Sequence, residues 1–324
     1  WLLIVFITVS IMIDVGGLTR LTDSGLSITE WQLFSGIIPP LNSNQWNDYF
    51  DLYKKIPEFK LQNYTMSLAE FKVIFWWEFI HRFLGRLIGI LFLIPLIFIT
   101  LKKGFYKTIN FYFIFVLICL QGFIGWYMVS SGLVDRVDVS HYRLALHLVL
   151  AFIILSLIFW NYLNFTNIKK IDYKINNFLP IFFILLIFLQ ITIGAFVSGM
   201  DAGKIYNTWP LMGSSIFPDD NQMHNLFSIA AFDDPSLVQF LHRNLAYVIL
   251  LFYLYICLKL YLLKVLKYFK ILKLIGLLLI LQIVLGIFTL LSGAQMYLAS
   301  MHQISSIFLI SSSIYFLFLN TKTN

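Results

Sequence analysis

The sequence predicts an all-α integral membrane protein: eight transmembrane helices forming two four-helix bundles related by a pseudo-two-fold axis. Three observations carry this. The 324 residues are 60% hydrophobic and only 12% charged, with a mean hydropathy of +0.83, whereas soluble domains carry roughly 25% charged residues. Eight apolar segments are long enough for a bilayer core, which takes roughly 20 helical residues to cross. The second half of the chain also repeats the first.

The eight segments are about 1–17, 73–100, 109–131, 142–163, 177–199, 237–262, 271–291 and 298–319. The first runs straight into a polar loop without a small-residue cleavage site, so it reads as a span and not as a signal peptide. Because the chain opens on Trp1, its true amino terminus is expected to lie upstream. Short loops collect Lys102, Lys103 and Lys107, then Lys169, Lys170 and Lys174, then Lys264, Lys267 and Lys270. The loops at the opposite end, about 18–72 and 200–236, are long and neutral or acidic. The second of them sets Asp201, Asp219, Asp220, Asp233 and Asp234 against Lys204 alone. The positive-inside rule therefore places both termini in the cytoplasm and the long loops outside. The net charge of +7 is then a matter of topology, with the lipid bilayer as partner and no nucleic acid.

Each long loop mixes aromatics with helix-compatible stretches such as Trp46-Asn47-Asp48-Tyr49-Phe50. Short amphipathic helices capping the bundle are expected there. Cys119 and Cys257 both lie in apolar runs and read as small buried hydrophobes. No CxxC or CxxCH occurs, which excludes covalent c-type haem attachment and a cysteine-ligated zinc or iron–sulfur site.

The repeat is read by offset. At 178 residues, Gly16 falls on Gly194, Asp23 on Asp201, Gly25 on Gly203, Trp31 on Trp209 and Pro40 on Pro218. At 161, Phe79-Ile80-His81-Arg82 falls on Phe240-Leu241-His242-Arg243, and Gln121, Gly125, Ser131 and Gly132 fall on Gln282, Gly286, Ser292 and Gly293. At 155, Tyr142 and His147 fall on Tyr297 and His302. The halves are 1–164 and 176–320, joined by a linker at 165–175. An even number of spans per half inserts both the same way up.

Four histidines, His81, His147, His242 and His302, thus sit at matched places in four spans, near the long-loop end. An imidazole within a membrane is costly unless it binds something, and helix bundles hold cofactors on side chains from facing helices. The pattern points to two bis-histidine metal sites, with haem as the group that suits them. His141 and His224 lack a matched partner and read as loop residues. Arg82 and Arg243, directly after two of the histidines, are candidates to meet haem propionates. Arg143 is matched by Leu298 and Arg20 by Ser198, so the first half is the more cationic. The sharper difference is Glu78, three residues before His81, whose counterpart is Gln239. A carboxylate beside a metal site is a candidate general base or cation stabiliser, or a partner for Arg82 or Arg86. On this contrast the first half performs chemistry and the second holds a permanent cofactor.

The stretch Gly16-Gly17-Leu18-Thr19-Arg20-Leu21-Thr22-Asp23-Ser24-Gly25-Leu26-Ser27, with Glu78-Phe79-Ile80-His81-Arg82 and Leu241-His242-Arg243, resembles the haem A synthase family over essentially the whole chain. Residues 18–72 hold no cysteine, so the chain is similar to the cysteine-free branch of proteobacteria and mitochondria. The resemblance implies eight spans in two halves and an oxidoreductase that converts the C8 methyl group of haem O to a formyl group through an alcohol. It implies a resident haem b on His242 and His302 with Arg243 nearby. The substrate haem would lie at His81 and His147 with Arg82 and Arg143, and Glu78 would be catalytic. It also implies a bacterial inner membrane, or alternatively a mitochondrial one, an unidentified electron donor or acceptor, and a partnership with the haem O synthase. The residues alone leave two rivals open: a diheme cytochrome b-type electron carrier or quinol dehydrogenase, and a transporter with a histidine proton relay.

Overall fold

Apolar length does most of the building. The computed structural model of the chain describes residues 1–32, 35–135, 137–168, 170–171 and 175–321. Among these residues, eight helices are long and apolar enough to cross a membrane. In chain order the helices are α1 (Leu2–Leu21), α2 (Ser43–Tyr53), α3 (Pro57–Leu61), α4 (Leu68–Lys103), α5 (Ile109–Asp135), α6 (His141–Asn164), α7 (Phe178–Gly199), α8 (Pro235–Leu262), α9 (Phe269–Leu291) and α10 (Met296–Leu319). All but α2 and α3 are spans. Lys169 and Lys174, two of the lysines assigned to a short loop, lie outside the described residues. Two compact units divide the chain inside α6: Trp1 with Leu3–Ile154, and Leu2 with Leu155–Asn324.

In the first unit the helices overrun the apolar segments. α4 begins five residues before its apolar run because Ser67 caps it. The Ser67 hydroxyl accepts from the Glu70 N–H, and the Glu70 carboxylate accepts from the Ser67 N–H, a reciprocal capping box. α1 continues through Gly16–Leu21 and hands over to Asp23, whose φ is +48°. In the second unit Asp201, at the matched position, follows α7 with a φ of +52°. Asp is among the few side chains that tolerate this left-handed conformation, so the duplication preserves the turn as well as the spans.

The first long loop is capped as expected. Asn42 accepts from the Gln45 N–H to start α2, and α2 buries Trp46, Phe50 and Tyr53. These rings meet Phe71 and Phe75 of α4: Trp46 and Phe75 at 4.9 Å, Phe50 and Phe71 at 5.1 Å, Tyr53 and Phe71 at 5.2 Å between ring centres. The second long loop departs from expectation. It contains the 3₁₀ turns Ala202–Lys204, Met223–Phe227 and Ile229–Asp233 and, among the described residues, no α-helix. Its side chains hold turns instead: Asp219 accepts from the Ser214 N–H and from the hydroxyls of Ser214 and Ser215, while Asp220 accepts from Tyr206 and Ser236. Cys119 also departs. It is exposed on α5, and Cys257 is half-buried, because a lipid-facing position is as apolar as a core one and composition does not separate them.

The cap contains a carboxyl group that no motif or repeat singles out. Glu58, on α3, is 3% exposed. One of its oxygens accepts from the Tyr53 hydroxyl at 3.2 Å and the Asn63 amide at 3.4 Å, while the other is buried without a partner. Burial disfavours the ionised form and raises its pKa from 4.5 to about 8. The folded chain therefore keeps a proton there that the unfolded chain releases, so this site's contribution to stability is full below pH 4.5 and is lost as pH rises towards 8. Thermal unfolding in detergent should show a midpoint that falls across that window, and Glu58→Gln should flatten the fall. A slope left unchanged by the substitution would show that Glu58 is not its source.

Candidate functional site

Within each unit the matched histidines come together. His81 of α4 faces His147 of α6 with ring centres 6.4 Å apart and planes at 60°. His242 of α8 faces His302 of α10 with ring centres 6.5 Å apart and planes at 73°. A metal between two imidazole nitrogens, at about 2 Å from each, sets the ring centres roughly 6 Å apart. The Nδ1 atoms of all four rings are buried and have no hydrogen-bond partner, which leaves an expensive unmet need in an apolar bundle.

Among the described residues, no group of three or more His, Cys, Asp or Glu is placed to hold a metal ion. Two ligands on opposite sides are too few for a bare zinc site. They suit an iron that brings its own equatorial nitrogens, and the donor set therefore fits haem.

Four glycines make room for the rings. A methyl group added to Gly16 of α1 would come within 2.8 Å of Cε1 of His81, and one on Gly125 of α5 within 3.0 Å of Cε1 of His147. In the second unit a methyl on Gly194 of α7 would lie 3.0 Å from Cε1 of His242, and one on Gly286 of α9 would lie 3.1 Å from Cε1 of His302. Each imidazole lies edge-on against bare main chain, because any side chain there would push it away. The offsets of 178 and 161 had already paired these glycines, but only the structure gives the reason.

Beside His81, Glu78 is 2% exposed and lies at the centre of a clasp. One oxygen accepts from the Ser27 hydroxyl and the Ile28 N–H, both at 2.7 Å. The other accepts from Nε and Nη2 of Arg82, at 3.0 and 2.6 Å. Four donors fill the lone-pair directions of an ionised carboxylate. Of the two partners foreseen for Glu78, the pairing observed is with Arg82. Arg82 also donates to the carbonyls of Ile28 and Glu30 and lies over the Trp31 ring, so its donors serve the loop.

The second unit has the same clasp with the polarity inverted. Gln239 donates to the carbonyls of Ala202 and Tyr206, and its own oxygen accepts from Arg243. Arg243 donates further to the carbonyls of Tyr206, Thr208 and Leu211. Tyr206 is the counterpart of Ile28 by offset. The first loop presents an N–H where the second presents a carbonyl, and the Glu78/Gln239 difference matches that exchange.

Arg143 lies over the Tyr127 ring at 4.7 Å. Arg20 forms an ion pair with Asp23 at 2.7 Å. His141, read as a loop residue, is instead the first residue of α6 and packs against the Tyr142 ring. His224 lies exposed in a 3₁₀ turn.

Comparison with known proteins gives a consistent family. The family model described as COX15-CtaA, cytochrome oxidase assembly protein, matches residues 1–314. The heme A synthase of Pelagibacter ubique is 52% identical over 326 aligned positions, covering 100% of this chain and 96% of that protein. The heme A synthase of Rickettsia bellii is 43% identical, covering 96% of this chain and 94% of its own length. That of Parvibaculum lavamentivorans is 47% identical over 78% of this chain and 74% of its own length.

The glycine beds can be tested. Gly194→Ala or Gly286→Ala should displace the adjoining ring and lower haem content of the purified protein by roughly 10-fold or more, as loss of ligand orientation does elsewhere. Gly89→Ala, where a methyl group would meet nothing within 4 Å, should leave haem content unchanged. Absorbance of the pigment per protein reads both.

Proposed function

Because this chain belongs to the COX15-CtaA family of cytochrome oxidase assembly proteins, we propose that it is a haem A synthase. It oxidises the C8 methyl group of haem O to a formyl group by two successive hydroxylations through an alcohol. One observation carries the reading: two half-buried histidine pairs of nearly equal spacing with enclosed Nδ1 atoms, of which, among the described residues, the first has the Glu78 carboxylate beside it and the second the Gln239 amide.

In this proposal the half formed by residues 1–164 receives the substrate haem at His81 and His147, and the half formed by residues 176–320 holds a resident haem b on His242 and His302. The resident haem would supply one-electron transfer. A substrate iron held on both faces by His81 and His147 keeps no position for dioxygen, which favours water as the source of oxygen. Each hydroxylation then removes two electrons and two protons and adds one water-derived oxygen atom. The second gives a hydrate that loses water to leave the formyl group.

Glu78 acts in this scheme as a fixed negative charge. Its four hydrogen bonds hold it in place, so it steadies positive charge developing at the methyl carbon without having to reorganise. Arg143, one helical turn before His147, is the side chain assigned to a propionate of the substrate. Arg82 and Arg243 hold the loops over the two sites. The lysine-rich short loops and both termini lie in the cytoplasm and the long loops outside, in a bacterial inner membrane. Electrons pass to a partner not identified by any residue here, and the haem O synthase is the enzyme expected to supply the substrate.

Coexpression with a source of haem O, followed by chromatography of the extracted haems, tests the proposal. Haem A and its alcohol precursor should appear with the intact chain. Glu78→Gln should keep haem b and lower formyl product by roughly 100-fold or more, the scale of losing a preorganised charge. Extraction of haem b alone from the intact chain would mark it as an electron carrier, and full haem A output from Glu78→Gln would remove Glu78 from the chemistry.

A further inference from the structure

Three of the four histidines are tied through their main chain to a side chain in the same bundle. Gln121 of α5 donates to the carbonyl of His147 at 2.9 Å. Ser305 donates to the carbonyl of His302 at 3.0 Å and also bonds Gln282 of α9. Gln190 of α7 donates to the carbonyl of His242 at 3.0 Å, and the same nitrogen lies 3.3 Å from the ring Nε2. The carbonyl identifies the near end of this amide as nitrogen. Among the described residues, no side chain donates such a bond to His81.

The difference traces to one position. Gln190 stands four residues before Gly194, and 178 residues earlier Met12 stands four residues before Gly16. Spacing of four puts both members of each pair on the same face of their helix. α7 therefore meets His242 with a glycine bed and an amide, whereas α1 meets His81 with a glycine bed and has at the amide's position a methionine, whose Cε packs towards Gly85, one turn along α4 from His81. Methionine has no N–H to donate. A haem leaves a bis-histidine site only when one ring swings off the iron, and a hydrogen bond between the ligand's helix and its neighbour at that level resists the opening.

We propose that Gln190 latches His242 so that the second site retains its haem, and that Met12 leaves His81 unlatched so that the first site exchanges substrate for product. This rests on the reading of His242 and His302 as the resident site. It names two positioning residues, each acting through the histidine of its own bundle.

Transfer of haem from the detergent-purified protein to apomyoglobin, followed by absorbance, provides the test. Gln190→Met should speed loss of haem b by roughly 10- to 100-fold, the usual effect of removing a group that orients a metal ligand. Met12→Gln should slow transfer of haem O preloaded into the first site by a similar factor, an effect that general damage to the fold does not produce. Wild-type transfer rates in Met12→Gln overturn the proposal, and this arm decides the matter if Gln190→Met fails to fold. His242→Ala keeps the two ideas separate. Haem b retained by His242→Ala defeats the resident-site reading, whereas haem-free His242→Ala with wild-type rates in the other two variants defeats the latch alone.

Discussion

Enclosing the Nδ1 of a half-buried imidazole in an apolar bundle without a partner is a cost the fold bears four times. The Nδ1 atoms of His81, His147, His242 and His302 are all enclosed and unpartnered, and the pairs stand at the separation a shared metal requires. Much else in each unit serves this arrangement. The glycines of α1, α5, α7 and α9 bring helix backbones close enough to bed the rings. The clasps at Glu78 and Gln239 bolt each long loop to the helix that carries the first histidine of its pair.

The clasps also separate structure from chemistry in the Glu78/Gln239 contrast. A glutamine at 78 would have to place an N–H2 group where Ser27 and Ile28 already present donors, and a glutamate at 239 would face two carbonyls. Each residue is thus fitted to its own loop. What remains particular to the first site is a carboxylate one turn from His81, with Arg82 as its ion-pair partner.

The spans, the duplication, the histidine pairs and the α2 cap were legible because they rest on period, length and matched position, which survive in one dimension. The loop bonds of Arg82 and Arg243 were not readable in the same way: a long side chain next to a histidine in sequence can reach ligand or loop, and both donate to loop carbonyls. Glu58 carried no pattern, since its burial depends on Tyr53 and Asn63 folding back over it. The Met12/Gln190 difference was within reach of the 178-residue offset, four places before its first matched glycine, but a methionine in an apolar span draws no notice until Gln190 is seen to bond His242.

The glycine beds have a consequence for how two copies of one bundle come to differ in their side chains. A ring resting on main chain is positioned by the path of the backbone and not by any neighbouring side chain. Substitutions around it can then accumulate without shifting the ring. One copy carries an amide where the other carries a carboxylate, while the spacing of the two histidine pairs stays common property.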